Sequence, residues 1–191
     1  MTFKFNEVYL NSTATVTGPY ENEGPLKGKF DKSYEDLYNG EKSWEKAEIK
    51  LFEESIDILL NKSKKKKDDI DVVIGGDLQN QIAASNYAIR NFKIPFLGIY
   101  NACAISSEGI IIASTFLENR SAKNCIVATS SHNSSAEKQF RFPLELGNQR
   151  PPSSQWTVTG SGAAILSKNG TGPYITHVTP GKIVDMGIKD A

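Results

Sequence analysis

Three short stretches carry side chains able to do chemistry: Gly75-Gly76-Asp77, Asn101-Ala102-Cys103 and Ser130-Ser131-His132. Cys103 stands where an apolar run ending at Tyr100 gives way to small residues and a helical pattern. A thiol at a helix N-terminus meets free N–H groups and the positive end of the dipole, which favour the thiolate. That is the usual preparation of a nucleophile. A free cysteine is equally a small buried hydrophobe, and both readings stand for Cys103. Cys125, inside the apolar run NCIVAT, is expected to be packing. His132 could act as a base, a donor to an anion, or a loop residue bonded to backbone. The other histidine, His177, is expected to be structural. Asp77 follows two glycines that permit close approach of a ligand; its carboxylate could meet that ligand or cap the next helix. Lys138, Arg141 and Arg150 add cations in or beside the segment after His132, where they could neutralise an anionic ligand or simply be solvated. Two cysteines and two histidines give no zinc-type spacing. GGDLQNQ matches neither Gly-rich phosphate pattern.

The elements that must position these residues alternate. Ser43–Leu60 has Ser43 as N-cap and Trp44, Ala47, Leu51, Phe52, Ile56 and Leu59 at helical spacing. Asp71–Ile74 reads as a short strand, Asn80–Asn91 as a helix, Phe96–Tyr100 as a strand, Cys103–Asn119 as an apolar helix and Asn124–Thr129 as a third strand. This β-α-β-α-β order implies right-handed crossovers and a parallel sheet with helices on both faces. Ligands of such sheets sit at the carboxyl ends of the strands, where Asp77, Cys103 and His132 all fall. Val8–Val16 reads as an edge strand, and Asp31–Asn39 as a short helix or an ordered loop. Residues 130–155 read as a long inserted loop. Trp156–Leu166 is a glycine-rich strand, and Tyr174–Val178 is expected to pair back on it as a hairpin across Asn169-Gly170.

Composition narrows the function. The 191 residues carry 22 basic and 22 acidic side chains, so no global field draws the chain to nucleic acid. MTFKFNEVYLNST lacks the pattern of a secretory signal, and no apolar run is long enough to span a bilayer. With two cysteines, the chain reads as cytoplasmic with reduced thiols. The run Lys64–Lys67 reads as a solvated helix end whose cations oppose the dipole, with a membrane-surface or partner contact as the alternative.

IYNACAISSEG, lying after a β-α-β unit and before a long helix, resembles the nucleophile turn of the thiolase-like superfamily, which includes the ketoacyl-synthase-III enzymes. WTVTGSGAAILSKNGTGPYITHV resembles its glycine-rich strand. SSHNSSAEKQFRFP, PPSSQWTVTG and GKIVDMGIKDA are similar to the stage V sporulation protein AD family within it. The resemblance implies an α/β thiolase-like fold, with residues 1–191 as a single domain forming the N-terminal βαβαβαββ half, and the C-terminal half not expected within the chain. It implies non-enzymatic binding of dipicolinic acid, with calcium as an optional companion, for uptake into the developing spore. It further implies membrane proteins of the same operon as partners, room for a homodimer, and a place in the forespore, peripheral at the inner spore membrane. Asp77, Cys103 and His132 are the expected pocket residues, with Lys138 and Arg141 beside them; no resident cofactor is expected. Asp77 would repel a carboxylate unless calcium or a proton lay between them. In the superfamily's enzymes the histidine partners of the cysteine come from the C-terminal half, so His132 is not equated with them. An acyl transferase using Cys103, and a scaffold for membrane partners, are the alternatives.

Overall fold

The computed structural model describes residues 1–140 and 157–187. Its centre is a six-stranded sheet of order β3-β2-β7-β6-β4-β5. The strands are β2 (Tyr9–Thr17), β3 (Lys32–Ser33), β4 (Val72–Gly76), β5 (Phe96–Gly98), β6 (Asn124–Ser131) and β7 (Gly160–Ser167). β4, β5 and β6 are parallel, whereas β7 runs antiparallel to both β6 and β2. Between them run α1 (Trp44–Ser63), α2 (Ala83–Ile89) and α3 (Ile105–Glu118). α4 (Asn133–Phe140) follows β6 directly.

The inner strands are apolar on both sides because both sides are covered. Successive side chains alternate between faces. On β6, Ile126 and Ala128 join Phe52, Ile56 and Leu59 of α1 and Ala88 of α2 in one core. Cys125 and Val127 join Ala113 and Leu117 of α3 in the other. β4 divides in the same way, Val73 toward α1 and Ile74 toward α3. α1 begins where expected: Ser43 Oγ accepts the Lys46 N–H at 3.2 Å. It ends at Lys64, whose left-handed backbone (φ 55°) directs its N–H to the carbonyls of Asn61 and Leu60.

Several expectations are corrected. The last strand does not pair back on β7 as a hairpin: β8 (His177–Val178) pairs antiparallel with β1 (Phe3–Lys4) in a separate two-stranded sheet. Tyr174 makes a lone bridge to Tyr9. β2 is not the edge, since two-residue β3 covers its end. Of the two readings of Asp31–Asn39, the ordered loop holds and the helix does not: β3 is followed by bends and turns. The inserted loop expected over 130–155 starts late, because 130–131 complete β6 and 133–140 form α4; residues 141–156 lie outside the described residues. The helix expected from Asn80 is shorter, beginning after a 3₁₀ turn in which Gln81 and Ile82 have φ of 60° and 48°. The cause is Asp77, whose carboxylate gathers the N–H groups of both Gln79 and Ser85.

β4 and β6 approach closely at Gly75, where a Cβ would collide with the Ala128 carbonyl oxygen. Gly75→Ala should therefore lower stability by about 3 kcal/mol, read as a fall in the urea midpoint. An unchanged midpoint would refute this close approach.

Candidate functional site

The topology brings the ends of β4, β5 and β6, the end of β2 and the start of β7 to one carboxyl edge. Asp77, Cys103 and His132 all stand at that edge, but on opposite faces of the sheet. The alternation that sends Val73 toward α1 carries Asp77 there too, and the one that sends Ala128 toward α1 carries His132. Cys103 lies in the 3₁₀ turn Ala102–Ala104 that opens α3, on the other face.

On the α3 face the edge forms a cleft of about 580 Å³. Its lining includes Cys103 and Ser106 at the start of α3, Thr15 and Thr17 of β2, and Thr129 and Ser131 of β6. Gly160 and Gly162 of β7, Leu78, Phe30 and Val158 complete most of the wall. The lining is hydroxyls, backbone and apolar groups, with no charged side chain among the described residues. Cys103 is exposed, and Cys125 is fully buried. Burial, helped by the negative charge of Asp71, pushes the Cys125 thiol up to about 12, as its packing role requires.

Asp77 is fully buried. Its Oδ1 accepts the Gln79 N–H at 2.8 Å, and its Oδ2 accepts the N–H and the hydroxyl of Ser85, each at 2.7 Å. That is the helix-capping role. His132 is also fully buried. Its Nε2 lies 2.7 Å from the Leu37 carbonyl, its Nδ1 accepts the Ser134 N–H at 3.2 Å, and its ring stacks on Trp44. One nitrogen donates and one accepts, which describes a neutral imidazole. Burial lowers its pKa against the opposing pull of Leu37, Glu45 and Glu21. Neither Asp77 nor His132 lines the cleft. Lys138 belongs to α4, while Arg141 and Arg150 lie outside the described residues.

The sequence reading missed Glu48. It sits inside the apolar stripe of α1, four residues after Trp44 and three before Leu51, and that interruption was its visible signal. It is 1% exposed. Its carboxylate accepts from Gln79 Nε2 at 2.7 Å, Ser135 Oγ at 2.9 Å and Ser130 Oγ at 3.1 Å. Ser130 also borders the cleft. Burial pushes the Glu48 carboxyl up to about 7; Gln79 pulls it back, the charge of Asp77 adds to the rise, and the serines again oppose it. Among the described residues no cluster of His, Cys, Asp and Glu is suited to hold a metal. No described helix is long and apolar enough to cross a membrane.

Solved structures with this arrangement include a variant of Xanthomonas campestris OleA, 13% identical with a TM-score of 0.58, covering 86% of this chain and 59% of that one. A second is 3-oxoacyl-(acyl carrier protein) synthase III from Xanthomonas oryzae pv. oryzae, 13% identical with a TM-score of 0.55, covering 86% and 57%. Mixed sheet, flanking helices and a cysteine at the strand–helix turn thus define an α/β protein of thiolase-like fold. The likeness at this identity concerns fold alone. Residues 1–191 match the family described as stage V sporulation protein AD. Stage V sporulation protein AD of Bacillus subtilis (strain 168) is 45% identical over 183 residues, covering 96% of this chain and 54% of that protein. The chain belongs to the stage V sporulation protein AD family, and it spans about half the length of this curated relative.

Two predictions follow from the geometry. Iodoacetamide should alkylate exposed Cys103 at least about tenfold faster than buried Cys125 in the native protein; comparable rates, read by peptide mass spectrometry, would contradict this burial pattern. The second concerns Glu48. The native carboxyl holds its proton up to about pH 7, whereas an unfolded chain releases it near 4.5. Between these values the unfolded state binds fewer protons, so stability falls as pH rises through that window. Glu48→Gln lacks this titration. Urea unfolding of both proteins from pH 5 to pH 8 should show the stability difference moving toward the variant by on the order of 2 kcal/mol. A pH-independent difference would mean that Glu48 is ionised throughout.

Proposed function

We propose that the protein binds dipicolinic acid without chemical turnover, in the cleft at Cys103, and so serves its uptake into the developing spore. Family membership supports the sporulation context. The observation that carries the binding reading is the isolation of the thiol. The histidine at the same edge is buried on the opposite face, bonded to Leu37, so no described base stands ready to activate Cys103.

The cleft suits a planar diacid. The positive end of the α3 dipole favours one carboxylate, and the hydroxyls of Ser106 and Thr129 add donors along the wall. The described lining supplies no cation. Compensation for the second charge then falls to calcium carried with the ligand, or to Lys138 and Arg141. Asp77 and His132 contribute by shaping the edge. In this reading the protein works in the forespore, peripheral at the inner spore membrane, beside membrane proteins of the same operon, and has room to form a homodimer. A second reading, acyl transfer through Cys103, draws on the accessibility of that thiol and the fold shared with a ketoacyl synthase.

Calorimetric titration of dipicolinate into the intact protein, with and without calcium, separates the two. Cys103→Phe, which fills the cleft, should weaken binding at least about tenfold, and Cys103→Ser should stay within about threefold of wild type. No saturable heat from folded protein would overturn the binding reading. A stable thioester on Cys103 after mixing with an acyl-CoA, absent in Cys103→Ser, would establish the transferase instead.

A further inference from the structure

Lys64–Lys67 is not an isolated helix end. Each crossover helix returns the chain to the amino edge of the parallel strands, opposite the cleft. The loop after α1, the turn between α2 and β5 and the turn between α3 and β6 therefore meet there. They bring Lys64, Lys65, Lys66 and Lys67 to the same edge as Lys93, Arg120 and Lys123. All but half-buried Lys65 are exposed. None of the seven forms an ion pair with a described residue. The acids of these loops, Asp68, Asp69 and Asp71, are exposed and offset part of that charge; Asp69 also accepts the Lys66 N–H at 2.7 Å, and Asp71 those of Lys123 and Asn124 at 2.7 and 2.9 Å. Exposed Asp57 of α1 attracts Lys67 as well, so the edge carries seven cations against four acids.

Backbone conformation supplies an independent observation. Lys64, Lys93 and Arg120 have φ of 55°, 58° and 57°. Each of the three turns thus holds a long cation at a left-handed position where glycine or asparagine fits with less strain. Three turns make the same costly choice at the same edge. Lys67, Asp68 and Lys93 also flank a shallow hollow of about 470 Å³ over Phe92, Ile94 and Pro95, with Lys67 Nζ 4.3 Å from the Phe92 ring centre.

We propose that this amino edge is a docking face for an anionic phospholipid bilayer, holding the Cys103 cleft on the far side of the sheet from the lipid. The cations are flexible and spread over three loops, which suits laterally mobile phosphates better than a fixed partner surface. No large exposed apolar side chain falls in these turns, so nothing inserts and contact is electrostatic. No exposed aromatic is interleaved with the cations to stack on nucleic-acid bases.

The test is co-sedimentation of the intact protein with phosphatidylcholine vesicles carrying about one third phosphatidylglycerol. Binding is expected there and not to phosphatidylcholine alone, and it should be lost as salt rises from about 0.05 M to about 0.5 M. Changing Lys64, Lys66, Lys67 and Lys93 together to Gln should lower partitioning at least about tenfold, and changing them to Arg should preserve it. Lys27, Lys29, Lys42 and Lys46 changed to Gln should bind as wild type. Far-UV circular dichroism and the urea midpoint establish that each variant is folded. No sedimentation with anionic vesicles, equal loss in both Gln variants, salt-resistant binding, or binding that requires an added membrane protein would each overturn the proposal.

Discussion

A sheet covered on both faces leaves each strand residue a choice of two cores, decided by parity. Most of the molecule's organisation follows from that. Ile126 and Ala128 go to α1, Cys125 and Val127 to α3, and the rule holds across β4 and β7 as well. A one-residue slip in any inner strand would exchange the two sets and place Ser130 and Thr129 in each other's environment. The site inherits the same rule. Residues that reach the carboxyl edge together are separated there by the thickness of the sheet.

The two sides of that edge have become different materials. On the α1 side, Glu48, Asp77, Gln79, Ser85, Ser130, Ser135 and His132 are buried and joined by hydrogen bonds to one another or to backbone. A buried carboxyl group, ionised or protonated, persists only when its oxygens are satisfied, and both Glu48 and Asp77 meet that condition. The network ties α1, α4 and the strained turn before α2 to the ends of β4 and β6. On the α3 side the same strand ends stop short of any cover among the described residues, and their hydroxyls and glycines line a cleft. One side holds the geometry that the other presents.

An accessible thiol without a described base is a chemically quiet feature. It gives the cleft a small polarisable wall at the N-terminal end of a helix, where an anion is favoured whatever the fate of the sulfur. In the binding reading proposed above, a thiolase-like frame serves as a receptor for a carboxylated ligand with its cysteine turn intact. The opposite edge carries its own charge pattern, so a chain of zero formal net charge is not electrically featureless. Crossover connections collect alternate loops at opposite ends of the sheet, and here that segregates hydroxyls from cations.

Periodicity and punctuation in the sequence determined the α/β class, the order of the central elements, the capped start of α1 at Ser43 and the strand–helix seam at Cys103. These depend on neighbours within a few residues, which is the range over which such patterns are legible. The distinctive segments on either side of residue 141 likewise pointed to the family. Only the tertiary structure decided which face each edge residue takes. Asp77 closes a turn around Ser85, eight residues away, and His132 reaches Leu37, ninety-five residues away. Glu48 could be seen as an interruption in an apolar stripe, but its partners come from three other elements. The final strand's departure to β1 and the gathering of Lys93, Arg120 and Lys123 beside the lysine run are of the same kind. Each is a long-range juxtaposition produced by closing the sheet, and no local pattern encodes it.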